Sequence, residues 1–447
     1  MSGPAPDPAA RPPTRALVLH PDIRTEPDRR PAAEALAEAV SLARALPGVE
    51  VVQAQVVSLP RAQPGRLFGK GKLAELATAI TEAEIELVLV DGPVTPVQQR
   101  NLERDWKVKL LDRTGLILEI FADRARTREG VMQVELAALS YQRTRLVRAW
   151  THLERQRGGL GFVGGPGETQ IEADRRAIDE RLVRLRRALD KVVRTRGLHR
   201  AARARVPYPV VALVGYTNAG KSTLFNRLTG AEVLAKDMLF ATLDPTMRAM
   251  ALPDGRPAIL SDTVGFISDL PTQLVAAFRA TLEEVLAADL IVHVRDISHP
   301  ETDMQAAEVA AILGDLGVAT TGEGAVPVLE VWNKTDLLPP DEADAAAARA
   351  ARMEGVMCVS ALSGAGCDAL VAAIAARLDA PRTEAVLELP FADGRRRAWL
   401  FAQGVVAEEA QTDTGHRLRV RWTDRQAAAF AAMGVAQSGG AEHGAAS

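Results

Sequence analysis

YPVVALVGYTNAGKSTLFNRLTG, residues 208–230, runs an apolar stretch into a glycine-rich turn and then into an amphipathic segment. Gly215, Tyr216, Thr217, Asn218, Ala219, Gly220, Lys221 and Ser222 follow the pattern G-x-x-x-x-G-K-S in the strand–loop–helix context it requires. Such glycines let the backbone fold around a phosphate with its N–H groups pointing inward. The helix that starts at Lys221, Ser222 and Thr223 adds the partial positive charge of its N-terminus. Lys221 is expected on the β- and γ-phosphates and the Ser222 hydroxyl on magnesium.

Downstream tetrapeptides fall at the ends of further apolar runs. Asp262, Thr263, Val264 and Gly265 follow the strand predicted at 258–262. The aspartate is expected to hold magnesium through water, and the Gly265 N–H to sense the γ-phosphate. Asn333, Lys334 and Asp336 follow a strand at 326–332, where an aspartate can accept both the N1–H and the 2-amino group of guanine. Ser360, Ala361 and Leu362 follow a strand at 356–360 and are expected to close over the base. Between the first two elements lies FATLDPT (240–246), with Phe240, Ala241, Thr242, Leu243 and Asp244 beside the nucleotide. Thr242 is the expected switch threonine on magnesium, with Thr246 as the alternative. Four elements in this order predict a doubly wound P-loop GTPase domain over 206–380, with Lys221, Asn218 and Gly265 as its catalytic groups.

One position departs from many small GTPases, which carry a water-orienting glutamine directly after the D-x-x-G glycine. Here Phe266 and Ile267 stand there, so intrinsic hydrolysis is expected to be slow. Asn218, inside the phosphate loop, can coordinate a potassium ion or can hydrogen-bond the loop backbone.

Working outward, strand-like runs at 17–20, 49–57, 85–91 and 108–112 alternate with helix-like ones at 34–46, 72–83 and 95–104. That alternation predicts βαβ units and a parallel sheet, hence an N-terminal α/β domain over 15–129. Residues 130–205 change character. A helix over 130–156 is followed by six glycines in the eleven positions from Arg157 to Gly167. Ile171, Ile178, Leu182, Leu185, Leu189 and Val192 then recur at heptad-like spacing. The prediction is a projecting helical hairpin. Beyond the GTPase domain, strand-like runs at 384–390, 404–411 and 416–422 predict a small α+β domain over 381–435. The ends, 1–14 and 436–447, read as disordered tails.

Charge separates along the chain. The 447 residues hold 54 Lys and Arg against 57 Asp and Glu, a net of −3. Between Arg143 and Arg205 there are 17 basic and 7 acidic residues, so this segment carries 17 − 7 = +10 and the remainder −13. A basic helical arm suits a phosphate backbone, whose counterions it releases. With 47% apolar and 25% charged residues the chain reads as a folded soluble protein, which excludes wholesale disorder and disulfide-stapled scaffolds. Cys358 and Cys367 are the only two cysteines, which fits a reducing compartment. No run of 18 apolar residues offers a membrane span, and the proline-rich start is no signal peptide. A cytoplasmic monomer is the expectation.

These residues resemble the HflX GTPases of the Obg–HflX group, from about residue 15 to 425. The resemblance is carried by LFGKGK (67–72), DRTGLILEIFADRARTREG (112–130) and LVRAWTHLERQRGGLGFVGGPGETQIEADRR (146–176), with GYTNAGKSTLFN, FATLDPT and DTVGFI in the GTPase domain. It implies a protein that binds GTP and GDP with Mg2+ and binds the large ribosomal subunit. In the family's manner it would split or rescue stalled ribosomes, its glycine loop reaching toward the peptidyl-transferase centre. Maturation of the large subunit is the alternative task. The resemblance also implies weak ATP binding by the N-terminal domain, to which Gly69-Lys-Gly-Lys72 can belong; a basic turn on rRNA is the other reading.

Other residues invite chemistry with less reason. His293 sits in a predicted buried strand and reads as core. Cys358 and Cys367, nine apart without partners, do not suggest a metal site. Trp150 and Trp332 read as packing. Phe162, at the tip of the glycine loop, can stack on an rRNA base or be buried by a collapsed loop.

Overall fold

A computed structural model describes residues 12–25, 30–156, 166–203, 208–231, 239–240, 246–268, 285–286, 288–319, 325–378, 383–422, 426–427, 430–431 and 433. Side chains are described outside 146–171 and 193–203. The glycine loop with Phe162, the Trp150 side chain, and Ala241, Thr242, Leu243 and Asp244 therefore lie outside the described residues. The chain divides into two compact units. The first holds Met1–Leu189 with two short later segments, and the second most of the remainder.

In the first unit, β1 (Thr14–Ile23), β2 (Val49–Leu59), β3 (Leu87–Val90) and β4 (Lys109–Asp112) form a parallel sheet of order β2-β1-β3-β4. Its connections are the helices α1 (Ala32–Ala45), α2 (Lys70–Glu82) and α3 (Pro96–Trp106). Strand β3 is apolar throughout, and so is the middle of β1, Ala16–Leu19, because both faces are covered. Leu17, Leu19, Val88 and Val90 pack with Leu76, Ile80, Leu102 and Trp106 of α2 and α3. Helix α3 starts where Thr95 and Gln98 form a reciprocal capping box. Helix α4 (Arg113–Arg124) follows β4 directly, and Asp112 caps it by accepting the Gly115 N–H at 2.8 Å. Lys70, Gly71 and Lys72 open α2 after the cap Gly69, and the Lys72 ammonium bonds Glu75 at 2.5 Å.

Helices α5 (Arg128–Gln156) and α6 (Pro166–Arg203) fall in the segment read from the sequence as a helical hairpin. At 29 and 38 residues they are roughly 44 and 57 Å long. Leu182 and Leu185 of the seam are buried. Ion pairs join the two helices, Arg143 to Asp179 and Arg181 to Glu135, each at 2.7 Å. The middle of α5 is held to the sheet. The Asp112 carboxylate accepts the Tyr141 hydroxyl and an Arg145 N–H, both at 2.5 Å.

In the second unit six strands line up in the order β10-β9-β8-β5-β7-β6. They are β5 (Val210–Gly215), β6 (Thr246–Ala251), β7 (Pro257–Asp262), β8 (Leu290–Asp296), β9 (Val328–Asn333) and β10 (Val356–Cys358). All neighbours are parallel except β6, which runs antiparallel to β7 at the edge. The helices of this unit include α7 (Lys221–Thr229), α8 (Thr302–Asp315), α9 (Pro340–Ala350) and α10 (Cys367–Leu378). Val211, Leu213, Leu260, Val292, Val294, Leu329 and Val331 form the core with Leu224 and Phe225 of α7 and Leu370 and Ile374 of α10.

The same unit carries a three-stranded antiparallel sheet of order β11-β13-β12: β11 (Thr383–Pro390), β12 (Val406–Thr412) and β13 (Gly415–Trp422). Leu418, Val420 and Trp422 alternate inward onto Leu400 of α11 (Gly394–Ala402) and onto Phe430. Arg417 and Arg419 face outward and pair with Glu388, Glu384 and Glu408.

Candidate nucleotide site

Each site residue stands at the carboxyl end of a strand of the six-stranded sheet, where open α/β sheets hold their ligands. Gly215 closes β5, Asp262 closes β7, Asn333 closes β9, and Ser360 follows β10. Strand order thus gathers four segments spread over about 145 residues of chain into one place.

The phosphate loop is shaped by close approaches. Gly215 has φ 152°, and a Cβ on it would meet the Val294 carbonyl oxygen at 2.1 Å. Gly220 has φ 92°, and a Cβ there would meet the Asn333 amide at 2.2 Å. Only glycine fits either position. Asn218 takes the left-handed conformation at φ 59°, which asparagine tolerates, and is exposed on the loop. Ala219 and Thr217 are buried beside it, and Ser222 and Thr223 lie in the first turn of α7. The buried Lys221 ammonium donates to the carbonyls of Gly215 at 3.0 Å and Tyr216 at 2.7 Å. Burial, assisted by the neighbouring Lys334 charge and opposed by Asp262, pushes its pKa down to about 8.

Ser222 Oγ donates to Asp262 Oδ2 at 2.7 Å. A hydroxyl and a carboxylate oxygen so placed at the start of a phosphate-binding helix are the hard oxygen donors magnesium prefers. Thr263 donates to the Leu213 carbonyl at 2.6 Å, pinning β7 to β5 as the chain leaves the sheet. The next residues are zipped onto the phosphate loop. Phe266 N–H donates to the Gly215 carbonyl at 3.1 Å and Thr217 N–H to the Phe266 carbonyl at 2.6 Å. Val264, Phe266 and Ile267 are buried. With its ring buried, Phe266 presents no polar group for a water molecule.

The base end is organised by Asn333. Its Nδ2 donates to the Ala219 carbonyl and its Oδ1 accepts the Ala361 N–H, both at 2.9 Å. Lys334 adopts φ 65°, and its ammonium is paired with Asp296 at 2.7 Å. Asp336 accepts the Ser360 hydroxyl at 2.5 Å, and Ser360 Oγ accepts the Ser363 N–H at 3.0 Å. Leu362 is 71% exposed at the loop tip. Phe240 belongs to the first unit, where its buried ring meets Phe121 edge-on with centroids 4.6 Å apart.

Sequence reasoning missed several contacts around this site. Arg227, on α7, donates from Nε to the Ala361 carbonyl at 3.1 Å and from Nη2 to that of Leu362, clamping the base loop. Asp296 anchors Lys334, and the Tyr216 hydroxyl bonds Ser268 at 2.7 Å. None carries a local signal, because each contact joins distant parts of the chain. His293 is a core residue, as read, and burial drives its pKa down to about 4. Trp332 is buried, with the Arg349 guanidinium 4.2 Å from its ring centre. Among the described residues no cluster of three or more His, Cys, Asp or Glu could hold a metal ion, and no helix is long and apolar enough to cross a membrane.

The chain is similar to known proteins over most of its length. Four family models match in sequence order: GTP-binding GTPase N-terminal over 33–122, GTP-binding GTPase Middle Region over 124–203, 50S ribosome-binding GTPase over 210–334, and HflX C-terminal domain over 345–442. The GTPase HflX of Magnetococcus marinus is 53% identical over 361 residues, 81% of this chain and 82% of that protein. The GTPase HflX of Escherichia coli is 44% identical over 375 residues, 84% of this chain and 86% of that one. A crystal structure of a GTP-binding protein from Sulfolobus solfataricus in complex with GDP is similar at TM-score 0.44 and 23% identity. That match covers 81% of this chain and 98% of that one.

Proposed function

Because the chain belongs to the HflX family of GTPases, we propose that it binds the large ribosomal subunit through its basic helical arm. GTP binding and hydrolysis would be coupled there to the splitting or rescue of ribosomes. The observation that carries the reading is one chain joining this GTPase domain to helices α5 and α6. They lie in a segment whose net charge is +10 between Arg143 and Arg205, 17 basic residues less 7 acidic. Such a surplus favours an RNA partner over a mixed-charge coiled coil.

In the reaction a water oxygen attacks the γ-phosphorus of GTP, the bond to the β–γ bridging oxygen breaks, and GDP and phosphate leave. Lys221 and the loop amides stabilise the charge that spreads over the γ-phosphoryl oxygens. Ser222, Thr242 and, through water, Asp262 would hold magnesium, which when bound neutralises charge on the β- and γ-oxygens. The Gly265 N–H reports the γ-phosphate, and Asp336 reads guanine with Asn333 and the loop Ser360–Leu362 around it. Since Phe266 cannot orient the water, Asn218 would hold a potassium ion, which when bound would supply positive charge to the site. Equal GTP turnover in potassium and sodium buffers would remove that assignment.

The reading is tested by sedimenting the protein with purified ribosomal subunits in GTP and in GDP, and by measuring GTP turnover with each. Co-sedimentation with large subunits in GTP, release in GDP and stimulated turnover are expected. Stimulation by naked rRNA alone would instead favour a maturation factor, and no effect of either would leave a regulator without an RNA partner.

A further inference from the structure

The phosphate loop of this protein is tied to the D-x-x-G segment by a side-chain relay that the nucleotide-binding motifs do not include. Tyr216, the second residue of the loop, turns its buried hydroxyl toward Ser268, six residues after Asp262. The Ser268 N–H donates to the Tyr216 hydroxyl at 2.8 Å. The two hydroxyls are 2.7 Å apart, and Ser268 Oγ lies 2.8 Å from Glu308 Oε2 on α8. The direction of the relay follows from the carboxylate, which only accepts. Ser268 Oγ–H therefore donates to Glu308, which leaves the Tyr216 O–H to donate to Ser268 Oγ. Tyr216, Phe266, Ile267 and Ser268 are all buried, so the bonds between Tyr216 and Ser268 are made away from bulk water, where they count for most.

We propose that Glu308 is a positioning residue for GTP hydrolysis, acting through Ser268 and Tyr216 to hold residues 264–268 against the phosphate loop. Three observations converge on it. The backbone bonds between Phe266 and both Gly215 and Thr217 fix one end of the segment. The relay fixes the other end two residues later. Gly265, whose N–H must meet the γ-phosphate, stands one residue before Phe266 and two after Thr263, whose hydroxyl is bonded to the Leu213 carbonyl. Held on both sides, that N–H is presented in a defined place, and preorganised donors are the largest source of stabilisation in phosphoryl transfer. With a phenylalanine where a glutamine could orient water, hydrolysis here depends more heavily on where this backbone lies. The proposal rests on the family's GTPase activity and not on the ribosomal reading.

The test uses the full chain, four single variants, Tyr216→Phe, Ser268→Ala, Glu308→Ala and Glu308→Gln, and the double variant Tyr216→Phe/Glu308→Ala. Turnover at saturating GTP, the affinities for a fluorescent GDP and a non-hydrolysable GTP analogue, and the melting temperature are measured for each. Tyr216→Phe and Glu308→Ala are expected to lower kcat about tenfold while GDP affinity stays within about twofold. Glu308→Gln, whose amide oxygen still accepts from Ser268, is expected to keep most of the rate. The double variant Tyr216→Phe/Glu308→Ala should be no slower than either single one, since all three groups act as one unit. Should Tyr216→Phe fail to fold, Glu308→Ala reads the same link from the helix side. Unchanged kcat in Glu308→Ala, or GDP affinity and kcat falling together, would overturn the proposal. Neither result would bear on ribosome binding, which sedimentation reads separately.

Discussion

Asn333 Oδ1 accepts the Ala361 backbone N–H at 2.9 Å while the same amide donates through Nδ2 to the Ala219 carbonyl. One buried side chain therefore ties the loop that would close over the base to the loop that would hold the phosphates.

Replacing it leaves two buried backbone groups without these partners, at a cost of roughly 1–3 kcal/mol each. Asn333→Ala is expected to weaken GTP and GDP binding by at least about tenfold and to lower the melting temperature. Equilibrium titration with a fluorescent nucleotide and thermal melting check both.

Asp336 sits at the base end with its carboxylate fixed by the Ser360 hydroxyl at 2.5 Å. Asp336→Asn exchanges a carboxylate acceptor for an amide and should shift preference from guanine toward xanthine. A loss of GTP affinity of roughly 100-fold, with xanthosine triphosphate gaining, is expected in competition binding. Unchanged GTP affinity would show that the base is read elsewhere.

Arg227 clamps the carbonyls of Ala361 and Leu362. Arg227→Ala should release the base loop without touching the phosphates, so KM for GTP should rise about tenfold while kcat at saturation stays near its original value. A fall in kcat at unchanged KM would place its role in the chemistry instead.

His293 gives the protein an acid limit. Burial lowers its pKa from 6.5 to about 4, with Arg295 and Lys221 assisting and Glu330 opposing. The unfolded chain thus binds the extra proton between those two values, and stability rises with pH across that window. As pH falls from 6.5 through 4 the protein should lose stability, in total on the order of 3 kcal/mol. Denaturant titrations of the wild type and His293→Gln, compared between pH 4 and 7, should give a steeper acid loss in the wild type.

Phe266→Gln tests whether the missing glutamine by itself limits hydrolysis. The residue is buried with its backbone zipped to Gly215 and Thr217. The introduced amide should therefore lower stability, by about 1–3 kcal/mol, without raising the single-turnover rate. A clear acceleration would mean that residue 266 reaches the attacking water.

The sheet strands that deliver the site were readable because their signals are local. An apolar run leads into Gly215, another into Asp262 and a third into Asn333, where GYTNAGKS, DTVG and NKTD begin. Helix α4 was harder to separate, because Asp112 ends β4 and caps α4 in the same residue, leaving no connecting loop to mark the change. The edge strand β6 also escaped, since its alternating residues carry little apolar weight and it pairs antiparallel with β7. What could not be read at all are contacts across distance. Tyr216 with Ser268, and Arg227 with Leu362, join residues 52 and 135 apart, and only the folded sheet brings them together.

The pairing of β5 with β7 continues past both strands through Tyr216 and Phe266. In effect the first residues of the switch are one more rung of the sheet. A rung is either made or broken, so a nucleotide that moved this segment would make or break it as one unit, more like a relay contact than a dial. In amide exchange, the Thr217 and Phe266 N–H groups would then report the state of the switch as two-state protection, rising and falling together.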